Sequence, residues 1–322
     1  MRAGRDCPLD YRLPATAFAG EPLFDCQALY VVGGLYGNRQ ALAALEQRLA
    51  AEPGARLIFN GDAHWFDRDP AIFQTVEQGL SGHLALRGNV ETELGRAADS
   101  GAGCGCAYPL TVEEAVVERS NAIQLELNQT VESLPGMAER LAARATTALV
   151  SVGGRRVAIS HGDEQSLAGW NCSRELLSEQ ARQQQLDTWF AAQNIQVLAT
   201  SHTCSAVALN LSHGALINNG AAGMPNFAGG RYGLLSRIAT RPHAAALSRC
   251  ERDGLFIEAL PLNYDPDAFL ADFDRQWPAG SPAAESYRSR ILGTCADRPQ
   301  QALLAGFSLC QSLCALEALI DE

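Results

Sequence analysis

Asp62, Asn89, His161 and His202 each stand just past an apolar run, where a buried strand would deliver them to one edge of a sheet. Two imidazoles, a carboxylate and an amide oxygen make a donor set suited to a divalent transition ion, zinc, manganese or iron. An ion so held acidifies bound water to near neutral pH, which is the chemistry of ester hydrolysis. The plainer alternative is that these groups only cap helices or hold loop backbone. Four candidate ligands at four strand ends favour the metal.

Cysteine offers further donors. Cys204 follows His202 by two residues, and Cys104 and Cys106 flank Gly105 in a loop able to fold back over the same edge. Thiolates there would favour Zn²⁺, Cu⁺ or iron, although a lone C-x-C is also simply a tight turn, and Cys204 reads equally as a small buried hydrophobe. His64 and Asp67, just beyond Asp62, are other nearby ligands. Cys310 and Cys314, one helical turn apart in an Ala/Leu-rich segment, read as core or interface residues.

Alternating strands and helices must position these groups. Residues 28–32 form a β-prone run broken by Gly33, Gly34 and Gly37 ahead of a helix whose Leu42, Leu45 and Leu49 share a face. Residues 56–59 repeat the unit and end at Asn60-Gly61-Asp62, and Leu84-Ala85-Leu86 leads to Gly88-Asn89. An amphipathic helical insertion over about 112–145 follows. Residues 147–152 and 155–160 are a hairpin turning on Gly153-Gly154. Residues 196–199 deliver His202, further β-like runs suggest a second sheet, and from about 266 the pattern turns helical and Ala-rich. Residues 1–27 thus read as an N-terminal extension, 28–265 as the main domain and 266–322 as a C-terminal helical extension.

Composition narrows the function classes. A net charge of −11 disfavours nucleic acid and anionic membrane surfaces as partners. All 25 basic residues are arginine, so P-loop, Schiff-base and kinase-type lysine chemistry is excluded. No apolar stretch approaches the ~20 residues that span a bilayer, and the first 20 residues lack a signal-peptide core. The expected compartment is the cytoplasm. The Gly33 turn is not a dinucleotide fingerprint, because Leu35 and Asn38 stand where G-x-G-x-x-G needs glycine.

Taken in order, Gly33-Gly34-Leu35-Tyr36-Gly37-Asn38, Gly61-Asp62, Gly88-Asn89-Val90-Glu91, Ser160-His161-Gly162-Asp163, Ser201-His202-Thr203 and the Asn218–Pro225 segment form six blocks, each at a strand end. The series resembles the calcineurin-like metallophosphoesterase superfamily over about residues 28–262. That resemblance implies an α/β fold, a four-layer αββα sandwich of two mixed sheets flanked by helices, carrying the insertion and extension just described. It also implies two metal ions. By position, Asp62 would bridge them, and Asn89, His161 and His202 would complete the shell of one. The other ion's own ligands fall on Gly34, Tyr36 and Cys204, and the histidine of the family's Gly-Asn-His-Glu block falls on Val90. One site keeps its shell while its neighbour is emptied.

Two functions follow from these expectations. The first is a metal-dependent phosphomonoesterase or phosphodiesterase with one or two ions, in which a metal-bound hydroxide attacks phosphorus and Asn38, Glu91 or Asp163 orients groups around it. Its partner would be a small-molecule phosphoester. Without a second ion or the missing histidine, turnover of unactivated esters would be slow. The second is a non-hydrolytic protein that binds metal or a phosphorylated ligand on the same fold, with Cys104, Cys106 and Cys204 supplying a metal site. The C-terminal helices would either pack on the sandwich or form a homodimer face.

Overall fold

The computed structural model describes residues 2–98 and 100–310. Its strands, in chain order, are β1 Asp25–Cys26, β2 Ala28–Val32, β3 Arg56–Asn60, β4 Leu84–Leu86, β5 Thr147–Val152, β6 Arg155–Ser160 and β7 Val197–Thr200. They continue with β8 Ala206–Asn210, β9 Ala215–Asn219, β10 Gly233–Ala239, β11 Ser248–Arg252, β12 Leu255–Leu262 and β13 Ser308–Leu309. The helices are α1 Arg39–Ala51, α2 Pro70–Leu80, α3 Asn89–Leu94, α4 Glu114–Glu132, α5 Met137–Ala142, α6 Arg174–Leu177, α7 Gln180–Gln193, α8 Pro266–Gln276 and α9 Pro282–Ile291.

Among the described residues the strands make two mixed sheets, one of order β1-β5-β6-β7-β9-β8 and one of order β13-β11-β12-β10-β2-β3-β4. Alternation along β2 shows how the layers arise, since successive side chains of a strand leave opposite faces. Leu29 and Val31 enter the core between the sheets with Ile58, Val157, Ile159 and Ile217. Tyr30 and Val32 face outward onto Leu42 and Leu45 of α1 and Val76 and Leu80 of α2. On the far side, Ala158, Leu198 and Leu216 meet Leu186 and Phe190 of α7. The result is the expected αββα sandwich.

The parallel register of β2, β3 and β4 sets Val31 opposite Ile58 and Asn60 opposite Leu86, so the Asp62 and Asn89 loops leave the same sheet edge. In the other sheet β6 and β7 are parallel, with Ile159 opposite Ala199, which brings the His161 and His202 loops together. Gly153 and Gly154 both take positive φ, 53° and 77°, as the β5–β6 hairpin turn requires.

The insertion forms α4 and α5 as expected. Their apolar side chains join Phe269, Phe273 and Trp277 of the C-terminal segment in one cluster over the strand ends that carry the site. The terminal segments differ from the sequence reading. At the N-terminus, β1 pairs in parallel with β5 at a sheet edge. Beyond α9 the described residues form a short 3-10 turn, Pro299–Ala302, and then β13, which pairs with β11; the Cys310 N–H donates to Leu247 O beside that strand. An open sheet edge offers ladder hydrogen bonds that local helix propensity does not override. Cys314 lies outside the described residues. No helix among them is long and apolar enough to cross a membrane.

Candidate metal centre

The loop after β3 is held by a carboxylate rather than by sequence-local bonds. Glu91, in the first turn of α3, accepts the amides of Asp62 (2.9 Å), Ala63 (2.8 Å) and Gly88 (2.8 Å). This fixes Asp62 at φ +53°, a left-handed conformation uncommon outside glycine. The approach of the two loops also needs glycine: a Cβ on Gly61 would lie 2.5 Å from Gly88 N, and one on Gly88 2.3 Å from Asp62 Oδ1.

The two histidines are oriented by carbonyls. His161 Nδ1 is 2.7 Å from Asn60 O, and His202 Nε2 is 3.0 Å from Cys106 O. A carbonyl only accepts, so each of these nitrogens carries a hydrogen, and deprotonation of the rings' other nitrogens, His161 Nε2 and His202 Nδ1, leaves them as lone pairs. Those two atoms are 3.2 Å apart. Asn89 donates its amide to Cys104 O at 2.8 Å, which aims Oδ1 at His161 Nε2, 3.2 Å away, and Asp62 Oδ2 lies 3.3 Å from the same nitrogen. Four acceptors therefore converge within one buried volume.

Such convergence needs a positive charge among these atoms, either a proton on His161 Nε2 shared with Asp62 or a metal ion in its place. Bonds of 2.0–2.1 Å in a tetrahedral shell place neighbouring donors about 3.3–3.4 Å apart, close to the separations seen here. Among the described residues, Asp62, His161 and His202 are the one group of three His, Cys, Asp or Glu whose ligand atoms lie within 4.8 Å of one another. Burial works against the Asp62 charge, but the neighbouring His161 more than offsets it and holds the carboxyl below its usual range. Burial lowers His161 as well, yet Asp62 outweighs it and the ring is raised. For His202, burial and then the charge of His161 act together and push it down to about 4, so this ring is neutral at physiological pH. The donors fit a divalent ion.

Gly34, Tyr36 and Cys204, on which the family resemblance would put the ligands of a second ion, pack against one another. Tyr36, at φ +56°, folds its ring over Gly34, where an added Cβ would lie 2.7 Å from the phenol oxygen. Its hydroxyl is 2.8 Å from Cys204 Sγ, and Cys204 is itself at φ +54°. Burial raises both the phenol, well above its usual value, and the thiol. Both are therefore neutral at pH 7 when no ion is bound.

Other residues singled out in the sequence have different work. The Cys104–Cys106 loop does fold over the centre, but its carbonyls make the contacts to Asn89 and His202; Cys106 Sγ lies 3.5 Å from the Asn89 amide nitrogen. Asn38 caps α1 by accepting from Ala41 N and donates to Gly223 O, so both ends of its amide are used. Asp163 accepts from Gln165, Ser166 and Asn171 amides and so closes its own loop. His64 is held between Asp67 Oδ2 (2.6 Å) and Glu77 Oε1 (2.9 Å), leaving no ring nitrogen for an ion, and Asp67 is spent in the same contact. Orienting roles for Asn38, Glu91 and Asp163 thus give way to backbone roles.

A cavity of about 110 Å³ opens on Asp62, Asn89 and His202. Its walls include residues that sequence reasoning passed over: Trp65, Tyr108, Trp170 and, from α9, Tyr287. Trp170 donates its indole N–H to Cys106 O, the same oxygen that receives His202. No local motif marks these aromatics: Trp65, Tyr108 and Trp170 lie in segments without regular structure, and Tyr287 reaches the cavity from α9.

No family model and no curated protein sequence matches this chain. Solved structures do. The hypothetical protein PH1004 of Pyrococcus horikoshii superposes with a TM-score of 0.54 at 14% identity, over 80% of this chain and 96% of that one. A metallophosphoesterase of Sphaerobacter thermophilus superposes with a TM-score of 0.52 at 15% identity, over 83% of this chain and 99% of that one. The chain has the metallophosphoesterase fold, in agreement with the calcineurin-like resemblance of its motifs. At these identities the likeness is one of fold.

Proposed function

We propose that the protein is a one-metal phosphoester hydrolase, binding a zinc, manganese or iron ion through Asp62, Asn89, His161 and His202 and acting on a small phosphoester. The observation that carries this reading is the convergence of four acceptors, three of them oriented by the carbonyls of Asn60, Cys104 and Cys106. Outer-shell bonds of this kind fix tautomer and direction at metal sites. When bound, the ion supplies Lewis acidity and an acidified water. Glu91 holds the Asp62 turn rigid, and the aromatic walls exclude bulk water from the reacting volume. Val90 places an apolar side chain where a proton donor would stand, so turnover favours esters with good leaving groups. The described cysteines are all free, which fits a reducing, cytoplasmic setting.

A second reading has its own support. Tyr36 and Cys204 seal the neighbouring metal position, as expected for a protein that keeps the fold to bind a phosphorylated ligand without cleaving it. One experiment separates the two. Protein purified without chelators is assayed for metal content and for hydrolysis of bis(p-nitrophenyl) phosphate, alongside Asp62→Ala. Metal-dependent turnover that disappears with the bound ion in Asp62→Ala supports hydrolysis; a bound ion with no turnover under any divalent metal supports the second reading. Absence of any bound ion in the wild type sinks the hydrolase reading.

A further inference from the structure

We infer, on the basis of the proposed metal centre, that the cavity takes a phosphodiester whose alcohol half carries a quaternary ammonium group. The charge of the lining sets the phosphate's charge. Asp62 is the sole acidic side chain facing the cavity, and no arginine lines it. The nearby Arg290 is committed to Pro225 O at 2.7 Å and Cys204 O at 2.9 Å. One divalent ion beside one carboxylate leaves a single net positive charge, which a monoanionic diester neutralises and a phosphomonoester dianion exceeds.

Volume sets the size. At about 110 Å³ the cavity suits a small head group. Chemistry of the walls sets the head group. Tyr36, Trp65, Tyr108, Trp170 and Tyr287 surround the space beside the metal ligands. Aromatic faces attract a cation through the ring quadrupole, and boxes of several such rings bind quaternary ammonium groups. These rings are held in advance: Tyr108 and Trp170 have centroids 5.8 Å apart, Trp170 meets His202 at 5.4 Å, and the Tyr108 hydroxyl is 3.1 Å from Ser120 Oγ. A preformed box spends little binding energy on ordering. The net charge of −11 also repels polyanions while leaving a zwitterion unhindered.

The test is calorimetric titration of metal-loaded protein with methyl phosphocholine and with its neutral isostere, methyl 3,3-dimethylbutyl phosphate, in which carbon replaces nitrogen. The choline ester is expected to bind roughly threefold to thirtyfold more tightly, the range of a desolvated cation–π contact. Tyr287→Leu and Tyr108→Leu, neither of them a metal ligand, are expected to shrink that ratio toward one with metal content unchanged. Equal affinities for the isosteres, binding of neither, or an unchanged ratio in both folded variants overturns the inference. Turnover of bis(p-nitrophenyl) phosphate, measured on the same sample, reports separately on hydrolysis, so a catalytically silent protein with a strong choline preference sinks the hydrolase reading alone.

Discussion

Glu91 shapes the centre without touching it. Its carboxylate joins two loops by accepting amides from both, and charge-assisted bonds of this type are roughly twice as strong as neutral ones. Glu91→Gln removes the charge and sets an N–H against an N–H. Urea unfolding of this variant is expected to show a loss of about 2–4 kcal/mol, with metal content falling as the Asp62 turn loosens; a change inside about 0.5 kcal/mol, the usual range for surface substitutions, would show the triad of bonds to be dispensable. Tyr36 and Gly34 form a second residue-scale pair. Because the Tyr36 ring occupies the space of a residue-34 Cβ, Gly34→Asp alone is expected to destabilise by about 1–3 kcal/mol, the scale of overpacking. In combination with Tyr36→His the penalty should shrink, since the ring is gone and Asp tolerates the left-handed φ of +66° at that position. Additive penalties in this double-mutant cycle would argue against the steric account.

At the scale of elements, the loop between α3 and α4 carries the question of the cysteines. It reaches Asn89 and His202 through the backbone oxygens of Cys104 and Cys106, contacts that a change of side chain leaves in place. Cys104→Ser and Cys106→Ser are each expected to keep their bound metal, read by elemental analysis; loss of the ion in either would restore direct thiolate ligation. The C-terminal helices play a comparable part. Trp277, at the end of α8, donates to Phe66 O at 2.7 Å, and Arg119 of α4 donates to Ser286 of α9 at 2.7 Å. These bonds seat α9 so that Tyr287 reaches the cavity.

For the molecule as a whole, acid stability turns on a buried cluster that ties α2 to the segment entering β5. Glu77 accepts from His64 at 2.9 Å and from Arg144. Burial opposes its charge, but His64 and then Arg144 more than offset this and draw the carboxyl from 4.5 down to about 2. A folded pKa below the unfolded one means the charged cluster stabilises the fold fully above about pH 4.5, and that contribution is lost as the pH falls toward 2. Stability is therefore expected to drop by on the order of 3 kcal/mol across this window, and Glu77→Gln should flatten the drop at the cost of lower stability at neutral pH. An unchanged pH profile in a folded Glu77→Gln protein would place acid sensitivity elsewhere.

Much of this architecture was legible along the chain. Apolar runs of strand length, glycine breaks and helical periodicity encode elements locally, because side-chain direction follows backbone period. The order of the six blocks then placed Asp62, Asn89, His161 and His202 at one edge, and the substitutions at Gly34, Tyr36, Val90 and Cys204 marked the neighbouring position as altered. Which atom each loop residue presents was not legible. Cys104 and Cys106 offer carbonyls where thiolates were one alternative, Glu91 and Asp163 accept backbone amides where the expectation was that they orient groups around the reacting centre, and the Tyr36 ring lies over Gly34. These outcomes depend on φ/ψ values in irregular segments and on contacts between residues far apart in the chain, such as Tyr36 with Cys204. Residue type and period by themselves determined the alternation of strands and helices and the candidate donors, while the two-sheet sandwich was implied by the family resemblance of the blocks. Only the packed tertiary structure decided which donors face inward, because the direction of a loop's polar groups is set by the partners that burial obliges them to find.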